Sequence, residues 1–293
     1  MSTGPARSLL TGLAWISPWL IGVALFTAVP AAMSLYYSLT DYTLLEGPVY
    51  IGLDNYRELG GDRLFGIAVW NTLVFAITAS LSATVLSVLL AVLLEQRLRG
   101  AGLIRAIVFL PTLVPVVSAC VCWLWLYNAQ FGLFNSVLAS AGIDGPDWLG
   151  RRDLALPSLV FMSLWIIGSP LLVCSAALKD VPAALYEAAD LDGISRLGRL
   201  RHVTLPMISP AVLFNAIMSI IWSLQIFAPP QIMTRGGPEN STLVYSMYVY
   251  WNAFIYGRMG YASAMAWIQM LVTLGLAGVV LGLSRRFIYY RAA

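Results

Sequence analysis

"YEAADLDGISRLGRLRHVTLPMISP", residues 186–210, carries five charged side chains in its first fourteen residues and lies between two long apolar runs. The chain around it is poor in charge. Of 293 residues, 11% are Asp, Glu, Lys or Arg and 59% are hydrophobic, with a mean hydropathy of +0.80. Soluble domains carry charge on roughly a quarter of their residues, so this composition belongs to a chain that lives in lipid. The polar stretch is then a loop and its neighbours are crossings.

The segments 8–40, 64–94, 106–143, 154–178, 203–234 and 259–284 contain no Asp, Glu, Lys, Arg or His. About 20 apolar residues cross the hydrocarbon core as a helix. The reading is an all-α, polytopic membrane protein whose single domain, 1–293, has six transmembrane helices. They are expected near 12–38, 69–94, 106–128, 156–178, 207–234 and 262–284. A further uncharged window, 240–257, mixes Asn240, Ser241, Thr242, Ser246 and Asn252 with four tyrosines and Trp251. That mixture suits the water–lipid boundary, so the window reads as interfacial or external. Pro229 and Pro230 are expected to interrupt the outer end of the fifth span.

With the N-terminus inside, eleven basic residues fall on inner segments, among them Arg97, Arg99, Arg105, Lys179, Arg196, Arg199, Arg201, Arg285, Arg286 and Arg291, and six on outer ones. This bias places both termini and the 186–210 stretch in the cytoplasm. The first span lacks a secretory cleavage pattern and is read as retained. The bases are spread over loops, which argues against a nucleic-acid partner. Cys120, Cys122 and Cys174 lie in spans and read as small buried apolar residues, and one histidine in the chain leaves no metal cluster of the usual types.

Cysteines and tyrosines aside, no span carries an ionisable side chain. Proton relays and intramembrane enzymes keep such groups at depth, so neither is expected. A sodium-coupled carrier or channel stays open, since backbone carbonyls hold Na⁺. The phosphate-cradling GK[ST] loop is missing: the one lysine, Lys179, precedes Asp180. The chain is therefore not expected to hydrolyse ATP itself, and energy for uphill movement would come from a partner.

The loop itself reads as two short helices. Pro182 suits a helix start, 183–192 favours helix, and Asp192-Gly193 forms a left-handed stop. Leu185, Ala188, Ala189 and Asp192 make one stripe, flanked by Glu187 and Asp190. Ser195 caps a second helix over 196–204, with Leu197, Leu200, Val203 and Thr204 on its apolar face and Leu205-Pro206 closing it. A plain connector needs about 2–8 residues; this loop, 179–206, is far longer. Lying flat on the membrane is one use for it, but its acidic first half favours docking to another protein.

Glu187-Ala188-Ala189, then Gly193, then Val203-Thr204-Leu205-Pro206 closely resemble, in residues and spacing, the EAA…G…LP loop of permease subunits in bacterial ABC importers. Ile194 stands where that family usually has a small residue, and Leu197 and Leu200 where aromatics are common. "IGLDNYREL" (51–59), "NTLVF" (71–75), Gly236-Gly237-Pro238 and "GYASAMAW" (260–267) resemble the carbohydrate-uptake branch, in particular the first permease of maltose- and glycerol-phosphate-type pairs. The resemblance implies a type I ABC importer permease fold in the cytoplasmic membrane of a bacterium or archaeon. It also implies a homologous second permease, two ABC ATPase subunits that hold ATP and Mg, and an external solute-binding protein, with no cofactor on this chain itself. It gives Glu187, Ala188, Ala189, Asp190, Asp192 and Gly193 the task of coupling to the ATPase.

A sugar path near the midplane wants hydroxyls, amides and aromatic faces. Asn215, Ser219 and Ser223 fall on one face of span five, with Trp222 and Gln225 alongside; polar glue between helices uses the same residue types. Maltose-type relatives contact sugar from positions matching Ser219, Ser223 and Ile226, and from others near Thr112, Val116, Ser163 and Ile166. Ile226 and Val116 are apolar where those relatives are polar, which implies a different or less firmly held ligand. Trp123, Trp125 and Trp165 read as packing or boundary residues. Loops 128–155 and 235–260 are expected to meet the binding protein. The resulting expectation is import of a sugar or oligosaccharide, the alternatives being a glycerol-phosphate ester or a stand-alone carrier or channel.

Overall fold

The computed structural model describes residues 5–95 and 100–284. Arg97, Arg99, Arg285, Arg286 and Arg291, on which the orientation argument partly rests, lie outside them. The described chain is almost wholly helical, and its one sheet is a two-residue antiparallel pair, Thr40–Asp41 with Val49–Tyr50. Four helices are long and apolar enough to cross a membrane: Thr11–Ser38, Arg63–Glu95, Arg196–Leu224 and Met259–Gly282. Two bent pairs, Ala101–Leu113 with Val116–Leu126 and Arg152–Ile166 with Gly168–Lys179, raise the number to six if each pair is one span.

Proline sets the departures from straight helix. Pro115 has no N–H to donate and drives the residue before it out of the α region. Val114 accordingly sits at ψ 126, its N–H turned to the Pro111 carbonyl, and the chain bends by 105° before restarting at Val116. Pro170 withholds a donor from the turn before it, and a 48° bend falls at Ile167. The fifth span stops at Leu224, earlier than its expected end near 234, because Pro229 and Pro230 cannot donate to carbonyls one turn back. The first span meets its proline more gently. A π turn, Ala24–Ala28, precedes Pro30 and lets the helix run on to Ser38.

The chain divides into two compact units, residues 1–62 with 249–270, and 63–248 with 271–293. In the first, side chains bind the "IGLDNYREL" segment to the end of the opening helix. Asn55 Nδ2 donates to the carbonyls of Ser38 and Thr40, each at 2.9 Å, and the Tyr56 hydroxyl reaches Ser38 Oγ at 2.8 Å. Gly260 donates to the Tyr42 carbonyl at 3.1 Å, and a Cβ there would strike the Thr40 carbonyl. Arg258 pairs with Glu58 and lies over the Tyr261 ring, whose hydroxyl donates to Asp62.

In the second unit the Arg63–Glu95 helix is the central post. Its buried positions are mostly small (Ala68, Ala76, Ala79, Ser80, Ser87, Ala91), which lets neighbouring backbones approach closely without a large hydrophobic gain. One core gathers Phe75, Trp123, Tyr127, Leu159 and Met162; another gathers Val88, Leu171, Cys174, Leu178 and Ile208. Cys120 and Cys174 are buried as expected, whereas Cys122 faces outward. Trp123 and Trp165 pack edge to face with centroids 6.0 Å apart, and Trp125 is exposed. The 240–257 window, read as interfacial or external, forms helix Tyr245–Tyr250 with a π turn Trp251–Ile255, and it buries Leu243, Val244 and Met247 completely.

Replacing Asn55 by Ala should destabilise the protein by about 1–3 kcal/mol, since two buried carbonyls lose their donor. Asn55→Asp should be worse, because a carboxylate would face both carbonyls. Thermal unfolding of the purified protein in nanodiscs checks the order; equal midpoints for all three would refute it.

Candidate functional site

The polar loop folds into a hairpin whose shape is fixed by its own hydrogen bonds. Pro182 caps helix Ala183–Leu191 in extended geometry. At the other end the Gly193 N–H reaches the Asp190 carbonyl at 3.1 Å and the Ile194 N–H reaches Ala189 at 2.9 Å, a Schellman closure with Gly193 at φ +68. No atom lies within 4 Å of a Cβ built on Gly193. Conformation and not space demands glycine here, and a left-handed L-residue costs roughly 1–2 kcal/mol. Ser195 Oγ accepts from the Gly198 N–H at 3.2 Å and caps the next helix, as expected.

Of the stripe Leu185, Ala188, Ala189 and Asp192 only Ala189 is buried. Val181, Tyr186 and Ala189 turn inward, and the Tyr186 hydroxyl lies 3.2 Å from Thr204 Oγ1. One feature differs from the reading of the loop: residues 196–204 are not a separate helix closed by Leu205-Pro206. They run through a π turn, Leu200–Thr204, into one helix, Arg196–Leu224. The wider turn absorbs the missing Pro206 donor, so the proline does not end the helix.

Asp190 pairs with Arg199 at 2.6 Å across the hairpin, so this acid, grouped with the coupling residues, is engaged within its own chain. The side chains of Glu187 and Asp192 are exposed and make no hydrogen bond or ion pair among the described residues. Beside them Leu191 is 90% and Leu197 75% exposed. The hairpin therefore presents two unpaired acids and two uncovered leucines on a rigid frame, a surface suited to a protein groove with a basic rim.

The proposed path residues gather at the helix breaks. Thr112 and Val116 flank the first bend, Ser163 and Ile166 the second, and Gln225 and Ile226 follow the end of the Arg196–Leu224 helix. The first two bends touch. A Cβ on Gly168 would come within 2.7 Å of Phe109 Cα and 2.8 Å of Thr112 Cγ2, so the glycine allows the approach. The hydroxyls of Thr112 and Ser163 donate to the carbonyls three residues back, at 2.6 Å each. Ile226 packs beside the aromatic core, Ser219 and Ser223 are half-buried, and Gln225 and Trp222 are exposed. Asn215 departs from the expected row. It is 3% exposed, and its Nδ2 donates to the Pro170 carbonyl at 2.9 Å and lies 3.2 Å from Cys174 Sγ. It therefore joins two helices in place of facing an open path.

Gly236, Gly237 and Pro238 form a turn in which Gly236 (φ +82), Glu239 and Asn240 are left-handed. The turn is held by side chains that sequence reasoning did not assign. Asn71 Nδ2 donates to the Asn240 and Leu243 carbonyls at 2.8 and 3.0 Å, and Thr72 Oγ1 accepts from the Tyr245 N–H at 2.7 Å. The available signal was an Asn-Thr pair opening an otherwise apolar run. The prolines at 111, 115 and 170 likewise announced the bends.

Residues 83–291 match the family described as "Binding-protein-dependent transport system inner membrane component", and the chain belongs to that family. It is 37% identical to the probable ABC transporter permease protein YesP of Bacillus subtilis, over 93% of this chain and 89% of that one. It is 31% identical to the trehalose/maltose transport system permease protein MalF of Thermococcus litoralis, over 95% of each. Its fold matches a chain of the bacterial alginate ABC transporter solved with an alginate pentasaccharide-bound periplasmic protein, with a TM-score of 0.85, 23% identity and 98% of both chains covered. The protein is thus a multi-pass, non-catalytic permease subunit of an ABC importer with a type I permease fold.

Asn215→Ala should cost about 1 kcal/mol of stability, seen as earlier thermal unfolding, with the KM for uptake unchanged. A shift in KM or ligand preference would return Asn215 to the path.

Proposed function

We propose that this chain is one permease of a heterodimeric ABC importer that passes a sugar or oligosaccharide delivered by an external solute-binding protein. In this reading the 179–206 loop and both termini are cytoplasmic, and ATP and Mg bind on two partner ATPase subunits. Relatives named for trehalose/maltose and for diacetylchitobiose transport, the latter 32% identical over 93% of this chain, support the substrate class. So does the hydroxyl and amide character of the helix breaks.

The observation that carries the coupling role is the continuity of hairpin and span. The turn at Gly193 is locked to helix Arg196–Leu224 by the Asp190–Arg199 pair and the Tyr186–Thr204 contact. At 1.5 Å per residue that helix is roughly 43 Å long. A groove on the ATPase that grips Glu187, Leu191 and Asp192 and closes on ATP would move the hairpin as one piece. The span would tilt with it, shifting the protein between inward- and outward-open states.

Gly193→Asp should abolish uptake while the protein remains in the membrane at its normal level, and Gly193→Asn should be milder because Asn tolerates the left-handed turn. Glu187→Lys should remove binding-protein-stimulated ATP hydrolysis in proteoliposomes. Full uptake by Gly193→Asp would refute the coupling role.

A further inference from the structure

The second unit contains a cavity of about 560 Å³, within the range of roughly 300–1,000 Å³ typical of small-ligand sites. One wall is a single helix face: Arg63, Gly66, Ile67, Trp70 and Asn71 follow the i, i+3, i+4, i+7, i+8 pattern. Across from it stand Arg152 and Asp153, and Glu239, Asn240 and Ser241 of the glycine-proline turn. We infer that this cavity is an external subsite for an acidic oligosaccharide, gripped by stacking on Trp70 and by a carboxylate–guanidinium contact to Arg63. The inference rests on the importer reading, which puts this end of the second span outside.

Trp70 is 67% exposed and has neither an aromatic nor a hydrogen-bond partner among the described residues, so its ring and indole N–H are both unspent. Gly66, with nothing within 4 Å of a Cβ, leaves the space beside that ring open. An exposed indole face next to amides and charged groups suits a sugar, whose ring has an apolar face and a polar edge.

The charges give the ligand its sign. Asp153 is held by Arg151 at 2.7 Å, and Glu239 pairs with Arg152 at 3.2 Å. Arg63 has no ion pair or hydrogen bond among the described residues. Once the pairs are set aside, one guanidinium is left facing the cavity, and a guanidinium fork matches a carboxylate. A neutral sugar would leave it unanswered. Ser241 Oγ, shielded from solvent, also lacks a partner on the opposite wall. Arg63 and Trp70 are seven residues apart, roughly 10 Å along the helix. That separation suits a ligand longer than one ring, stacked at one end and carrying its carboxylate at the other.

The test uses the importer assembled with its companion permease and ATPase subunits in nanodiscs, without binding protein, and follows trigalacturonate and maltotriose by saturation-transfer NMR. Trigalacturonate should bind and maltotriose should bind about tenfold more weakly or not at all. Arg63→Gln should weaken trigalacturonate about tenfold and flatten its salt dependence. Trp70→Ala should weaken it comparably, and Trp70→Tyr should keep most of the binding. Equal binding of the two sugars, no binding, or indifference to Arg63→Gln would overturn the subsite. So would an Arg63→Gln variant that weakens docking of the ligand-free binding protein while trigalacturonate binding is unchanged, since the carboxylate would then belong to that protein. ATP hydrolysis by the same particles separates the two readings. Stimulation by the binding protein without trigalacturonate binding sinks the subsite alone. Trigalacturonate binding without stimulation sinks delivery of the sugar by the binding protein and leaves the subsite standing.

Discussion

An unpaired backbone amide or carbonyl in hydrocarbon costs several kcal/mol, so a membrane chain has to run as helix or hide its irregular backbone inside protein. This chain places prolines in its apolar runs at 115, 170 and 229–230, and each forces a departure from helix nearby. The rest of the architecture accommodates those departures. The Arg63–Glu95 helix, with its small buried residues, gives the post against which broken helices can pack. Gly168 then brings the first two bends into contact, so that freed backbone groups face protein. Broken helices of this kind are where carriers form solute sites, because only there does polar backbone stand at depth without solvent.

The hairpin around Gly193 obeys the opposite requirement. It lies among polar sequence, where water satisfies any backbone group, so its rigidity has to come from specific bonds. The Schellman closure, the Ser195 cap, the Asp190–Arg199 pair and the Tyr186–Thr204 contact supply them. None is large: an exposed ion pair contributes about 0–1 kcal/mol, and a cap about 1 kcal/mol. Together they fix one shape for the hairpin within the chain itself, and a surface ordered in advance is the kind that binds with a low ordering cost. The acids and leucines left over then point outward.

Much of this was legible from the residues alone. The apolar runs located the helices long and apolar enough to cross a membrane, because a crossing needs about 20 such residues and a charge is expensive at depth. Gly193 and Ser195 were readable because a left-handed stop and an N-cap each select few residue types. Other features were not. Whether Pro206 ends a helix depends on the π turn before it, which no local pattern announces. Asn215 sits on the same face as Ser219 and Ser223, and only the nearness of Pro170, 45 residues earlier, shows where its amide goes. Asn71 and Asn240 are 169 residues apart. Long-range partners of a polar side chain leave no local trace, and that is where the reading of the candidate site departed from the geometry.

Hairpin and breaks are joined by the same helix. Arg196–Leu224 starts one residue after the Ser195 cap and stops where Gln225 begins the third break. The π turn at Leu200–Thr204 absorbs the donor that Pro206 lacks, so one helix spans the distance from hairpin to break without interruption. Its far end meets Gln225 and Ile226, and Ile226 packs beside the aromatic core around Trp123. The apolar runs themselves carry no charged side chain. A permease subunit that does no chemistry of its own has no need of buried titratable groups, and avoiding them spares it roughly 2.5–3.5 kcal/mol for each.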